Sequence, residues 1–269
     1  MLCENYFDGG GSLFTAVYVR PESGEFHRDS EHFVGFTYGF VGVRDREQGF
    51  RSPENLVFYS QYLAVRKAYQ HYGLGLRMKE YQGQVVRDLL GIGIMTCTYD
   101  PLVGVNAYRN IHHFRMKVLE YVEALYQDFG GDLNRTDVPS DRLYVSWDLR
   151  KPASQPEIDL EALFLPENLA VWSDIREISG RSGRIPMEVC AGYRTGLDRE
   201  VILVEIPVDF YRMLRETDVS ERDVRSIPVD WRMKTRAVFQ DLLDRGYRVA
   251  DFQVFKHRDR KRDFYVFRR

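Results

Sequence analysis

Cysteine is scarce in this chain: Cys3, Cys97 and Cys190 stand far apart and form no CxxC pair. That spacing suits neither a disulfide framework nor a cysteine zinc site, so the expected setting is the reducing cytoplasm, with no metal. A basic excess is also missing. Lys and Arg number 38 against 40 Asp and Glu, for a formal net charge of −2 and a pI near 6.3. General nucleic-acid binding needs a cationic surplus to displace phosphate counterions, which removes nucleic acid from the expected partners. No stretch approaches the roughly 18–20 apolar residues of a membrane helix. The segment 1–12 carries Glu4, Asp8 and three glycines where a signal peptide has a basic start and an apolar run. The expectation is a soluble protein without leader or membrane span. No GxxxxGK[ST] loop occurs either.

What the sequence does contain is ample core material: 269 residues, 44% hydrophobic and 14% aromatic. Strand character at Leu13–Val19, His32–Phe40 and Asn55–Val65 gives way to helical periodicity over Gly75–Leu90. A nearly continuous apolar run, Ile92–Thr98, reads as a strand buried on both faces, followed by a helix over Asn106–Arg115 and a strand over Arg142–Asp148. This alternation predicts an α/β domain over 1–150. Beyond a turn-rich linker at 151–156, residues 151–269 read as a smaller α+β unit, with strand Glu200–Ile206, helices near Asp209–Arg215 and Trp231–Arg245, and strands Tyr247–Phe255 and Asp263–Phe267.

The chemistry-bearing segment is Leu63-Ala64-Val65-Arg66-Lys67-Ala68-Tyr69-Gln70-His71-Tyr72-Gly73-Leu74-Gly75-Leu76. A strand feeding a glycine turn and then a helix sets unpaired amides and the positive helix end around a concavity that suits a diphosphate. Gly73 and Gly75 remove Cβ atoms that would hold phosphate oxygens away, and Gln70 adds a neutral donor. Alone, a GxG before a helix is also an ordinary turn.

Gln70-x-x-Gly73-x-Gly75 after Leu63-Ala64-Val65 resembles the Q/R-x-x-G-x-G/A signature of the GNAT superfamily of N-acetyltransferases. The wider pattern, with Tyr99-Asp100-Pro101-Leu102, Asp141–Trp147, Thr235-Arg236 and Arg245-Gly246-Tyr247, is similar to a subgroup of predicted acyltransferases with a C-terminal extension. The resemblance implies a GNAT fold, a mixed central sheet flanked by helices, with acetyl-CoA or another acyl-CoA as cosubstrate and a small-molecule amine as acceptor. It implies that Leu63, Ala64 and Val65 face the pantetheine arm, and that Gln70, His71, Tyr72, Gly73, Leu74, Gly75 and Leu76 cradle the pyrophosphate. Asn106 and Asn110 lie on the following family helix and join the cofactor set. The tyrosine that many members use as general acid falls at Ile111, leaving Tyr108 or Tyr126 as substitutes. The family's first strand and first helices have no counterpart before Leu13, and either the C-terminal unit or a second subunit of a homodimer is expected to replace them.

Asp100, between the buried strand and Pro101, is a candidate base, with a turn-initiating role as the alternative. His112-His113 sits on a helix with its rings turned apart, which favours a surface role. Glu205 interrupts an apolar strand, and Lys256–Arg262 is a basic hairpin tip.

Overall fold

The computed structural model describes residues 11–20, 22, 30–126, 133–151 and 158–269. Apart from Lys151, the expected linker 151–156 lies outside them, as do the glycines and aspartate at 130–132. The chain folds as two compact units, Met1–Cys97 with Ser146–Pro152 and Thr98–Val145 with Ala153–Arg269. This corrects the division expected at residue 150: the chain leaves the first unit inside one strand and re-enters it inside another.

In the first unit, β1 (Ser12–Tyr18), β2 (Phe33–Val43) and β3 (Leu56–Val65) form an antiparallel run. Register pairs Thr15 with Thr37, and Gly35 with Val65. Next comes α1 (Leu74–Asp88), whose Met78, Gln82 and Val86 recur every four residues and are all buried. Val86 joins Phe58, Ile92, Met95 and Leu149 in this unit's core. Ser60 Oγ donates to Gln82 Oε1 at 2.7 Å, tying β3 to the helix. β4 (Ile94–Tyr99) starts parallel to β3 with Phe58 opposite Met95 and Tyr59 opposite Thr96. The parallel ladder ends there, while β3 continues to Val65.

The second unit carries α2 (Gly104–Ala107), which runs into a π-helical turn at Tyr108–His113, then β5 (Lys117–Val122) and the start of β6 (Arg142–Asp148). After α3 (Leu160–Leu163) come β7 (Leu169–Gly180), β8 (Gly183–Tyr193) and β9 (Val201–Ile206). Helices α4 (Phe210–Glu216), α5 (Arg222–Arg225) and α6 (Ile227–Asp244) precede the hairpin of β10 (Arg248–His257) and β11 (Arg260–Arg268). Strand order is β1-β2-β3-β4-β6-β5 in one mixed sheet and β10-β11-β9-β7-β8 in the other. A mixed α/β fold with an added C-terminal sheet is the class expected from the sequence. The second sheet's core gathers Val201, Leu203, Phe264 and Val266 with Ile158 and Leu160.

Helix α6 ends as its sequence predicts. Gly246 (φ 85°) donates to Leu243 O at 3.0 Å and Tyr247 to Leu242 O at 2.9 Å, the paired bonds of a Schellman cap. The basic hairpin tip is narrower than expected: only Arg258 and Asp259 turn, both at positive φ, while Arg260 and Arg262 belong to β11 and point into ion pairs.

Candidate functional site

Arg66 N donates to Val34 O at 2.8 Å, fixing the root of the turn that follows β3. A 3-10 turn at Lys67–Tyr69 closes through Gln70 N to Lys67 O at 3.3 Å. The chain then swings through two left-handed residues, His71 (φ 74°) and Gly73 (φ 71°), before α1 begins at Leu74. The amides of His71, Tyr72, Gly73, Leu74 and Gly75 donate to no protein atom among the described residues. Leu76 N and Arg77 N already bond Gly73 O, at 3.1 and 3.2 Å, as the first helical links. Five successive free donors stand at the positive end of a 15-residue helix, alternating about left-handed residues, the backbone pattern of a nest.

Space above the nest is open. A Cβ on Gly73 would meet nothing within 4 Å, so its glycine answers a dihedral demand instead of a steric one. His71, Tyr72 and Gly73 are exposed, as are the Arg66 and Lys67 side chains' residues. Gln70 has a different partner from the one expected: Nε2 donates to Val65 O at 3.1 Å, bracing strand against turn. Leu63, Ala64 and Val65 are held by β2 through pairs with Thr37, Phe36 and Gly35. An apolar groove of about 650 Å³ on the same unit is lined by Phe14, Phe33, Phe36, Ala64, Val65 and Arg66. The ten expected cofactor residues from 63 to 76 therefore form one continuous feature, whereas Asn106 and Asn110 belong to the second unit.

In that unit Asp100 is buried and doubly engaged. Its Oδ1 accepts from Leu102 N at 2.8 Å, and Oδ2 faces Arg232 Nη2 at 2.6 Å and Arg142 Nη1 at 3.4 Å. Arg232 is fully buried. Burial alone would lower its pKa, but Asp100 beside it outweighs that and holds the guanidinium charged. Asp141 accepts from Tyr121 OH at 2.6 Å and from Arg236 at 2.8 and 2.6 Å. Tyr108 is exposed, with its ring stacked on His112 at 4.7 Å. His112 Nδ1 lies 3.0 Å from Asp251 Oδ1, which Arg115 also reaches at 2.7 Å. Asn106 Oδ1 accepts from Arg109, Asn110 is buried, and Ile111 is 1% exposed. Tyr126 N donates to Ser140 Oγ at 2.9 Å. Glu205 is bound on both oxygens by Arg262 at 2.7 Å and by Ser173, a closed structural pair.

Arg232, Arg142 and Tyr211 are additions that the sequence reading passed over. Arg232 did carry a signal. It lies three residues from Thr235 and seven from Phe239, on the apolar stripe of α6, where a charge demands a buried partner. Tyr211 is half-buried, and burial first, then Asp100, push its phenol pKa up, with Arg142 and Arg109 opposing.

Asp263 is a buried carboxylate whose titration is pushed up towards neutral. Burial raises it from 3.8 to about 6, against only partial relief from Lys261 at 3.6 Å. The native state then holds the proton more tightly than the unfolded chain, so stability falls as pH rises through the window from 3.8 to 6. Asp263→Asn is expected to raise Tm above neutral pH, by the equivalent of about 2–3 kcal/mol at most, and to flatten that decline. Thermal melts at stepped pH check it; a variant tracking the wild type throughout would refute the assignment.

No family model matches the chain, and no curated protein matches it. Among solved structures, NAA60 of Arabidopsis thaliana in complex with a bisubstrate analogue matches with TM-score 0.40 and 11% identity, covering 54% of this chain and 80% of that one. Ribosomal-protein-S5-alanine acetyltransferase from Vibrio fischeri gives 0.35 and 13%, over 45% and 59%. A spermidine N-acetyltransferase chimera of Vibrio cholerae SpeG and hSSAT gives 0.35 and 7%, over 54% and 72%.

Proposed function

We propose that the chain is an acyl-CoA-dependent N-acyltransferase that moves an acyl group, acetyl by default, to a small amine or amino acid. The supporting observation is the row of five free amides at 71–75, on exposed residues at 71–73 and half-buried ones at 74 and 75, at the start of α1. Those donors suit the two phosphates of CoA, Arg66 and Lys67 add charge nearby, and the groove beside Ala64 and Val65 offers apolar surface to the arm. A bound acyl-CoA supplies an activated thioester. Direct attack by the amine nitrogen forms the N–C bond as the C–S bond breaks; the nitrogen sheds one proton and the thiolate takes one up, so a group that donates to sulfur is restored by the proton leaving nitrogen. Tyr108, with its exposed ring, is proposed as that donor. Asp100 is proposed as a positioning residue, because both its oxygens are already engaged.

A second reading, a CoA-binding protein with weak or no transfer, is supported by Ile111, which is buried and stands where the resemblance would put the family's tyrosine. Calorimetry with CoA is expected to give a saturable heat; a flat titration removes both readings. Thiol release from acetyl-CoA across an amine panel then separates them, since silence with every amine leaves only the binding protein.

A further inference from the structure

The outermost strand of a sheet has N–H and C=O groups left over along its free side, and proteins blunt such edges with charge or proline. The outer strands β5, β8 and β10 follow that rule: Lys117 and Glu120 lie in β5, Arg184 and Pro186 in β8, Arg248 and Lys256 in β10. β1 does not. Ser12-Leu13-Phe14-Thr15-Ala16-Val17-Tyr18 holds no charge and no proline, and its outer side pairs with no strand among the described residues. Its ladder with β2 runs unbroken from Ser12 to Val17 and shifts only before Tyr18. Phe14 and Ala16 are exposed on one face, while Thr15 on the other is tied to Thr37 by a bond between hydroxyls.

The side chains decide what fits beside this edge. Across the sheet, Ala16, Phe36 and Ala64 stand in one row as small, large, small. Phe14, in the next row, stacks on Phe36 with ring centroids 5.5 Å apart. A second β1 laid antiparallel, with Thr15 opposite Thr15, sets Phe14 of the second copy beside Ala16 and continues that alternation. On the other face Leu13 then meets Val17 of the second copy. The match is reciprocal, as a two-fold axis requires, and no like charges face each other across it. A strand of an unrelated protein would satisfy the backbone equally, but this self-matching order favours a copy of the same chain. We propose that the outer edge of β1 pairs antiparallel with β1 of a second copy, in the register that opposes Phe14 to Ala16. Ala16 also lines the apolar groove, so Phe14 of the second copy stands at its rim. The acyltransferase reading plays no part in this pairing.

Light scattering on the full chain tests it. The expected mass is twice 31.6 kDa, falling towards 31.6 kDa on dilution. Ala16→Glu puts a carboxylate against Phe14 of the second copy and should weaken the dimer at least tenfold; Phe14→Lys should act likewise. Mixing the two variants is expected to recover most of the loss, because the new charges then meet between copies. Hydrogen exchange gives a second readout: the outward amides of β1 should slow only at concentrations where the mass doubles. Circular dichroism checks that each variant is folded; should either fail, the exchange of the unaltered chain decides. A monomer at every concentration, β1 amides equally protected at all dilutions, a dimer indifferent to both folded variants, or no recovery on mixing overturns the proposal. Protection independent of dilution would mean that the chain covers its own edge. Loss of CoA binding with the dimer intact removes only the acyltransferase reading.

Discussion

Gly73→Glu is expected to abolish CoA binding in a chain that stays folded, with the affinity falling by about 100-fold or more, equivalent to ~2.7 kcal/mol. Two effects combine. The new carboxylate stands among the five amides that would take the phosphates, where like charges repel. The position also demands φ near 71°, which costs a residue with a Cβ about 1 kcal/mol. Gly73→Asn separates them, because asparagine tolerates the left-handed region and brings no charge. It should retain most of the affinity. Nothing lies within 4 Å of the added Cβ, so the fold has no steric reason to respond. Gly75→Glu places the same charge two residues later, in the first turn of α1, and is expected to act alike. Calorimetry with CoA reads all three, and undiminished binding by folded Gly73→Glu would contradict the nest as the diphosphate site.

The second large effect is on stability. Asp100→Ala strips the fully buried Arg232 of its carboxylate partner and also deletes the acceptor for Leu102 N. Breaking one side of a buried ion pair costs about 3–5 kcal/mol, more than the net worth of the pair, because the surviving charge stays desolvated. For a chain of this size that corresponds to a fall in Tm of about 10 °C. The diagnostic is the double variant: Asp100→Ala with Arg232→Met removes the stranded charge and should recover most of the loss. Melts of the single and double variants settle it. If the single variant melts with the wild type, the buried pair is not what holds this region.

Local readings fared best where the cause is local. The turn at 70–76 shows itself through two glycines, a preceding apolar strand and a following helical period, all within a short window. β6 and the cap at Gly246 were legible for the same reason. Three strands were not. β7 exposes Asp174–Glu177 in mid-strand, and β8 carries Pro186, which demotes a strand in sequence yet is tolerated because β8 lies at the sheet edge. β5 buries little beyond Tyr121, so it shows no alternation. The ion pairs were hidden for another reason. Asp100 and Arg232 stand 132 positions apart, and no window of sequence contains both. The same holds for Glu205 and Arg262, which is why a carboxylate in an apolar strand and a basic cluster were read separately.

The threading of the chain between its two units has a consequence for how the protein can be cut. Residues 98–145 hold Asp100 and Asp141, while the guanidiniums that neutralise them, Arg232 and Arg236, arrive only with α6. A fragment stopped near residue 150 would keep Arg142 beside Asp100 but lose the closer partners Arg232 and Arg236, and its complement would carry those guanidiniums without their carboxylates. Neither piece is a self-sufficient inheritance, so a ribosome must finish nearly the whole polypeptide before the interior charges of the second unit can meet.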